Sequence, residues 1–597
     1  MRRSPGGWAV AATALAVLTG AGLTGCGIPP GTSVRVDGPL PEIDSPQTSE
    51  NPVLPPGPDQ ADSEVELVDN FLQAAAANPE DPVEVLREFV HQDDRGTWQP
   101  DPQILVVRAD ESVSTPGQQV RVQVPVHEIG VLTEDGTIEP RDVTQPRTLE
   151  FKVVPVADMP GDADVASRVE QRFQLVDPPD EIILSTSALG TYLLPRPVYY
   201  WGTEGEMLVP DLRWLPSALP VRQRAQTVMK WLGDGPAAWL PGALVGLPDD
   251  VTLAGNVVWS ADRLEVPLTS ASGEVDGRRL DAQLWWTLRP DLSGNRTLVL
   301  VVDGAERVLD GDYLALNPAA GPDPLRFAVL DGVVRQLRPD QEQDLPALAG
   351  GLNEEIHSAA LSRDRRFAAL VRAEPEERLR LSVARAAGLT ESDLVADRMS
   401  RPAWLAGGTV GLVVADGQLY RFDETATVSR VRVPGGLTGI QAVAAAPDAR
   451  RVALVASGRL YVASLVWRAG SFSMNEPRVL PTTAGDLEGV GFLQENWLAF
   501  VGDETGRSLL YEITVDGALE RPLPNGEPGA PVSVDSFTAY PGDPTGQSAR
   551  GKIMYEAENR AYVYAHGILP ALIEAGDLYG VPADAEPGEP RAPFFLD

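Results

Sequence analysis

AALSRDRRFAALV (residues 359–371) and AAAPDARRVALVA (444–456) share one layout: small residues, a charged turn, then an apolar run. They begin 85 residues apart, and a shorter unit repeats around them. That unit is a short apolar strand, a turn and a second strand. It reads FAVLDGVVRQL from Phe327, FAALVRAEPEERLRLSV from Phe367 and VGLVVADGQLYRF from Val410. It continues as VALVASGRLYVASL from Val452, LAFVGDETGRSLLYEI from Leu498 and IMYEAENRAYVYAH from Ile553. The starts lie 40, 43, 42, 46 and 55 residues apart, so the 85-residue pair spans two periods. A period of about 40–50 with strand–turn–strand content is that of propeller blades. A lone hairpin cannot bury both faces, whereas radial stacking buries them and ring closure protects the edges. Ala368, Gly411, Ala453 and Ala499, small residues inside the repeated strands, suit the crowded inner part of a blade. The expectation is an all-β propeller over 318–590. It has six blades by direct count, or seven if a degenerate one lies within 505–553, and a sandwich or solenoid is the competing arrangement.

The whole chain has 597 residues, too many for one hydrophobic core, so three or four domains are expected. Gly 56 and Pro 54 favour a turn-rich, β-heavy chain. A formal charge of −36 argues against nucleic acid as a partner, because that binding needs clustered Lys and Arg to displace counterions. A single cysteine excludes an internal disulfide. The four histidines (His91, His127, His357, His566) are widely scattered, and HExxH and CxxC are absent, so no metal site is assigned. Walker A, Rossmann, EF-hand and GxSxG motifs are absent too. In the propeller, Asp364, Asp416, Asp448, Asp503, Glu504 and Glu558 read mostly as turn residues kept for solvation. A propeller glycosidase would need acids converging on the channel. Asn295-Arg296-Thr297 has the spacing of a sequon and is read as chance. No catalytic or cofactor-binding residue and no cofactor is assigned.

The cysteine has a context. Arg2 and Arg3 precede an apolar stretch, Trp8–Leu18, and small residues follow to Gly25. This is the pattern of a secretory signal, too short for a convincing spanning helix. Leu23-Thr24-Gly25-Cys26 resembles the bacterial lipobox. The resemblance implies cleavage between Gly25 and Cys26 and a diacylglyceryl group on the Cys26 thiol, with two acyl chains giving stable anchoring. Residues 1–25 are thus expected to be a lipoprotein signal peptide. Residues 26–61, rich in Pro and Gly, read as a tether reaching on the order of 3 Å per residue from the bilayer.

Two regions precede the propeller. In 62–188, Val65, Leu67, Val68, Phe71 and Leu72 recur at helical spacing after Ser63, a candidate N-cap, and a second helix follows Pro82. After Trp98 come the strands ILVVRA, VRVQVPVHEIGVL, RTLEFKVVPV, VEQRFQLV and EIILS, expected to form an antiparallel sheet in an α+β domain. The order resembles the cone-shaped NTF2-like fold, which implies a pocket. His127, in a strand, reads as structural or exposed. In 189–312, strands from Thr191 lead to the helix VRQRAQTVMKWLGDGP, read as ending at Gly233. A strand, a helix around LDAQLWWTLR and the strand RTLVLVVDG follow. This α/β order resembles the GerMN domain, a family implying binding or scaffolding. Trp231, Trp239, Trp285 and Trp286 are read as core, with one of the tandem pair partly exposed, or alternatively as a ligand face.

Lipobox, tether, NTF2-like region, GerMN-like region and propeller together resemble the LpqB family of actinobacterial lipoproteins, over essentially the full chain. The resemblance implies an accessory of an MtrA–MtrB two-component system. Such a protein is lipid-anchored outside the cell membrane, binds the extracytoplasmic domain of an MtrB-like sensor kinase and supports cell-envelope homeostasis and division. A cell-wall glycan or lipid carrier is the alternative. The residues by themselves support a tethered, non-catalytic, multi-domain binding protein.

Overall fold

The computed structural model describes residues 53–597 except 116–119, 144, 157–171, 206, 272–276, 293–295, 322–323, 339–342, 406, 505–506, 525–533, 546–550, 566–569 and 582–587. Gly25, Cys26, most of the tether, Asn295 and His566 lie outside the described residues. From residue 53 onward the chain belongs to one compact unit.

The first helix, Glu64–Ala74, begins where Ser63 Oγ accepts the Glu66 N–H at 3.2 Å, satisfying one of the donors left open at a helix start. Leu67, Val68, Phe71 and Leu72 are buried. The second helix is shorter than its apolar pattern suggests, Pro82–Leu86 followed by a 3-10 turn at Arg87–Phe89. It stops because Val90 is drawn into a bridge with Leu175, whose carbonyl accepts the His91 N–H.

The sheet runs in the order 172–176, 147–156, 120–132, 101–109, 181–185. It is not wholly antiparallel as expected: Asp101–Ala109 pairs in parallel with Glu181–Ser185. Direction explains this. Three antiparallel steps leave Arg172–Val176 opposed to Asp101–Ala109, and the reversal at 177–180 restores the original sense. So short a link between the two edges also requires the sheet to curl, since each residue spans at most about 3.6 Å. The interior of the curl is occupied. Phe71 packs against Phe89 and Phe151 with ring centroids 5.8 Å apart in each case, and against Trp98 at 6.3 Å. These four aromatic side chains pack where the NTF2-like resemblance implies a pocket.

The helix Thr186–Tyr192 leads into the next region, so its first strand starts at Leu193 rather than Thr191. The hairpin Leu193–Gly202 with Leu208–Pro216 packs under the helix Val221–Asp234. That helix runs one residue past Gly233 and ends because Gly235, at φ +100°, cannot continue it. Arg263–Ser270 and Thr297–Val302 then pair in parallel, connected through the helix Gly277–Leu288, as a crossover requires. Trp231 and Trp286 are buried, while Trp239 and Trp285 are half-buried against the same core.

The rest is a propeller of six sheets among the described residues. Blades 2 to 6 span Ile356–Ala396, Ala403–Arg430, Ile440–Leu480, Gly485–Pro522 and Val534–Leu572. In blades 2 to 6 the hairpin read from sequence supplies the two middle strands, and in the three-stranded blade 1 it supplies the middle and outer strands. Blade 1 is closed by the end of the chain: Arg591–Phe595 pairs as its inner strand with Arg326–Leu330, and Phe327 stacks on Phe594 at 5.1 Å. Several hairpin turns are two-residue turns with both residues at positive φ, such as Asp331-Gly332, Asp416-Gly417 and Ser457-Gly458. That is the conformation whose twist matches the flanking strands.

Candidate functional site

The two quoted stretches, 359–371 and 444–456, form equivalent turns leading out of an inner strand. In blade 2, Ser362 Oγ donates to Asp364 and accepts the Phe367 N–H. In blade 4, Asp448 accepts the backbone N–H groups of Arg450 and Arg451 and two bonds from the Arg451 guanidinium, at 2.9 and 2.7 Å. Asp448 is only 4% exposed, so it is no solvating turn residue. It is the buried counter-ion of Arg451, and this corrects the reading of the sequence.

These turns form the end of the propeller on which the other two regions dock. Trp214 Nε1 donates to Asp516 at 2.7 Å, and Arg108 pairs with Glu520 at 2.8 Å. The Arg450 guanidinium reaches the Thr203 carbonyl, packing against Gly202 and Gly205. Glu495 accepts from Tyr199 Oη at 2.7 Å and Asn317 Nδ2 at 2.6 Å. Burial raises the pKa of Glu495, although these two hydrogen bonds and Arg451 oppose it. The first two regions are joined to each other by Arg213, whose guanidinium is held by Asp211 and Asp135. Arg478 lies over the Trp239 ring at 4.2 Å in a small cavity of about 230 Å³, where burial brings its pKa down to about 10.

The six inner strands enclose a channel of about 940 Å³. Met207 and Pro318 line it at the docked end. Two carboxylates are sunk in the wall, and both are already engaged. Glu556 accepts from Arg591 Nε at 2.8 Å and from the Ala592 N–H at 2.7 Å. Asp597 accepts from the Arg401 guanidinium at 3.2 Å and from the Trp404 N–H at 3.0 Å, and burial raises its pKa. Neither is placed as a free proton donor or nucleophile. Among the described residues no group of three or more His, Cys, Asp or Glu side chains could hold a metal ion.

The opposite end carries exposed carboxylates the sequence reading did not single out: Asp331, Glu488, Asp535 and Glu589. Two of them stand in the first halves of inner strands, Glu488 fourth in Gly485–Gln494 and Asp535 second in Val534–Tyr540, a signal hidden when repeats are aligned on their hairpins. The acids that were singled out are elsewhere. Asp416 and Glu558 sit in hairpin turns at positive φ, and Asp503 lies in the strand Trp497–Glu504 with Glu504. His127 faces Asp110 at 3.7 Å, half-exposed, and His91 starts the short helix Gln92–Arg95. His357 lines the channel, where desolvation by the surrounding wall lowers its pKa.

Fold and site define a multi-domain, mostly β protein. A propeller of six described blades around a channel of about 940 Å³ is fused to two smaller α/β-containing regions. Comparison with known proteins makes this specific. Residues 331–559 match the profile described as the lipoprotein LpqB β-propeller domain, and 57–189 match the lipoprotein LpqB N-terminal domain. Residues 197–308 match a profile described as sporulation and spore germination. Lipoprotein LpqB of Nocardia farcinica is 25% identical, over 92% of this chain and 94% of the relative. That of Thermobifida fusca is 28% identical over 52% of this chain and 51% of the relative. Among solved structures, TolB from Acinetobacter baumannii aligns with TM-score 0.32 and 12% identity, over 58% of this chain and 99% of that one. A nidogen/laminin complex chain aligns with TM-score 0.31 and 10% identity, over 46% and 99%. The chain belongs to the LpqB lipoprotein family. That is not a known enzyme family, and membership implies a membrane-anchored lipoprotein. No helix among the described residues is long and apolar enough to cross a membrane.

Proposed function

We propose that this chain is an extracytoplasmic lipoprotein, anchored through Cys26, that acts as an accessory of an MtrB-type sensor kinase. It works by binding the kinase's extracytoplasmic domain, and supports cell-envelope homeostasis and division through that contact. The observation that carries the binding reading is the channel wall, where Glu556 and Asp597 are neutralised by arginine and backbone N–H groups rather than poised for chemistry. The joint through Trp214, Arg450 and Glu495 supports it further, since it makes the three regions one body that can present a fixed surface. Tethering confines that body to the layer occupied by a membrane receptor, raising the effective concentration of each for the other. A lipid carrier would need room inside the NTF2-like region, and Phe71, Phe89, Trp98 and Phe151 take up that space.

The test is Cys26→Ala expressed at the native level. The protein is expected to leave the membrane fraction, and phosphorylation of the response regulator is expected to shift to the value seen in a deletion strain. Full complementation by the unanchored protein would contradict the tethering part of the reading.

A further inference from the structure

We propose that the channel half facing away from the docked regions is a binding site for an extended peptide segment carrying both positive charge and apolar side chains. This rests on the binding reading above and specifies what the partner presents. The mouth is acidic on three successive blades. Glu488 belongs to blade 5 and Asp535 to blade 6, and Asp331 and Glu589 stand at blade 1. The nearby cation is already committed, for Arg591 binds Glu556 and donates to Asn559 at 2.6 Å. Glu589 has Arg560 at 3.5 Å, and Glu488 accepts the Val534 N–H at 3.1 Å, while among the described residues Asp331 accepts a long bond from the Gly588 N–H at 3.4 Å. Carboxylates so placed attract a cation and repel an acidic segment.

Below the rim the wall turns apolar, with Val443, Val490, Phe537 and Ala539. A small hydrophilic cation would leave that wall unused. The wall also offers main-chain partners. Each inner strand is hydrogen-bonded to a neighbouring strand on one side only, so its other edge faces the channel, the arrangement an extended main chain can add to. Gly489 and Gly491 bring one such strand close to its neighbour, for a Cβ there would meet Phe537 at 2.6 Å and Ala539 at 2.7 Å. Finally, the Ser358 hydroxyl lines the channel, is buried, and has no hydrogen-bond partner among the described residues. A buried hydroxyl left in this way is costly until something pairs with it.

The test uses the full-length chain in detergent and a fluorescent peptide of alternating valine and lysine, followed by anisotropy. The same peptide with glutamate in place of lysine should bind about tenfold more weakly or worse. So should the valine–lysine peptide on Asp331→Asn/Glu488→Gln/Asp535→Asn, whose substituted side chains are exposed and leave the fold intact. Ser536→Trp, which narrows the channel, should weaken binding of the valine–lysine peptide. Equal binding of both peptides, unchanged binding by the rim variant, or full displacement by an equal concentration of spermine would each overturn the inference. Kinase association without peptide binding would overturn it while leaving the accessory role standing. Peptide binding without kinase association would support it and overturn the accessory role.

Discussion

Arg451 is 2% exposed, and Asp448 and Asn496 hold its guanidinium between blade 4 and blade 5. A buried ion pair adds little over a well-packed apolar pair, but removing one partner leaves an uncompensated charge. Asp448→Ala should therefore cost about 3–5 kcal/mol, read as a shift of the urea midpoint. Glu495, beside it, shows the opposite electrostatics. Its folded-state pKa is raised by burial, so the folded chain keeps this proton to higher pH than the unfolded chain does. Stability is greatest below the ordinary glutamate value of 4.5 and falls as pH rises through the raised value. Glu495→Gln should match the parent below that range and become the more stable of the two as pH climbs above it. A stability difference that does not vary with pH would show that the Tyr199 and Asn317 hydrogen bonds already cancel the burial effect. Gly411 is needed because a Cβ there would lie 2.2 Å from the Phe422 ring, itself packed edge-on against Trp404 at 4.8 Å. Gly411→Ala should cost about 1–3 kcal/mol by overpacking.

At the level of elements, the sequence was readable where strands are buried on both faces. FAALV within Phe367–Glu374 and VALVA within Arg451–Ala456 are continuous apolar runs joined to partners by short turns, so the six hairpins stand out. The inner strands do not. Ala403–Trp404 is two residues long, and Ile356–Leu361 and Val534–Tyr540 carry His357, Ser358, Asp535 and Ser536 toward a channel that periodicity cannot reveal. The rim acids were missed for that reason. The parallel pairing of Asp101–Ala109 with Glu181–Ser185 was missed because no local pattern encodes which edge a strand reaches. Asp448 was misread because Asp in a turn looks alike whether its partner is water or a buried arginine. The domain joint is equally invisible to local pattern, since its contacts join positions hundreds of residues apart. Trp214→Phe keeps an aromatic ring but removes part of the indole's volume and deletes the bond to Asp516, leaving that buried carboxylate with Thr514 and the Ala518 N–H. It should cost about 1–3 kcal/mol and speed proteolysis between the second region and blade 5.

The propeller depends on ring closure. Phe594 is buried in the strand that completes blade 1, stacked on Phe327. Phe594→Ala should cost about 3–5 kcal/mol and loosen the first and last blades together, seen as matched loss of hydrogen-exchange protection in both. The proposed lipid anchor at Cys26 and the Pro-rich segment after it are readings of the sequence. The role proposed for this body is binding, and the measurement that tests it most directly is photocrosslinking in living cells. A photoreactive residue is placed in the full anchored chain at Asp331 or Asp535 on the channel rim, at Val258 on the second region, and at Val113 on the first. The account predicts an adduct with the extracytoplasmic domain of the sensor kinase from the rim positions, lost when Cys26 is replaced by alanine. Capture of the kinase from none of these positions, at native expression, would contradict it.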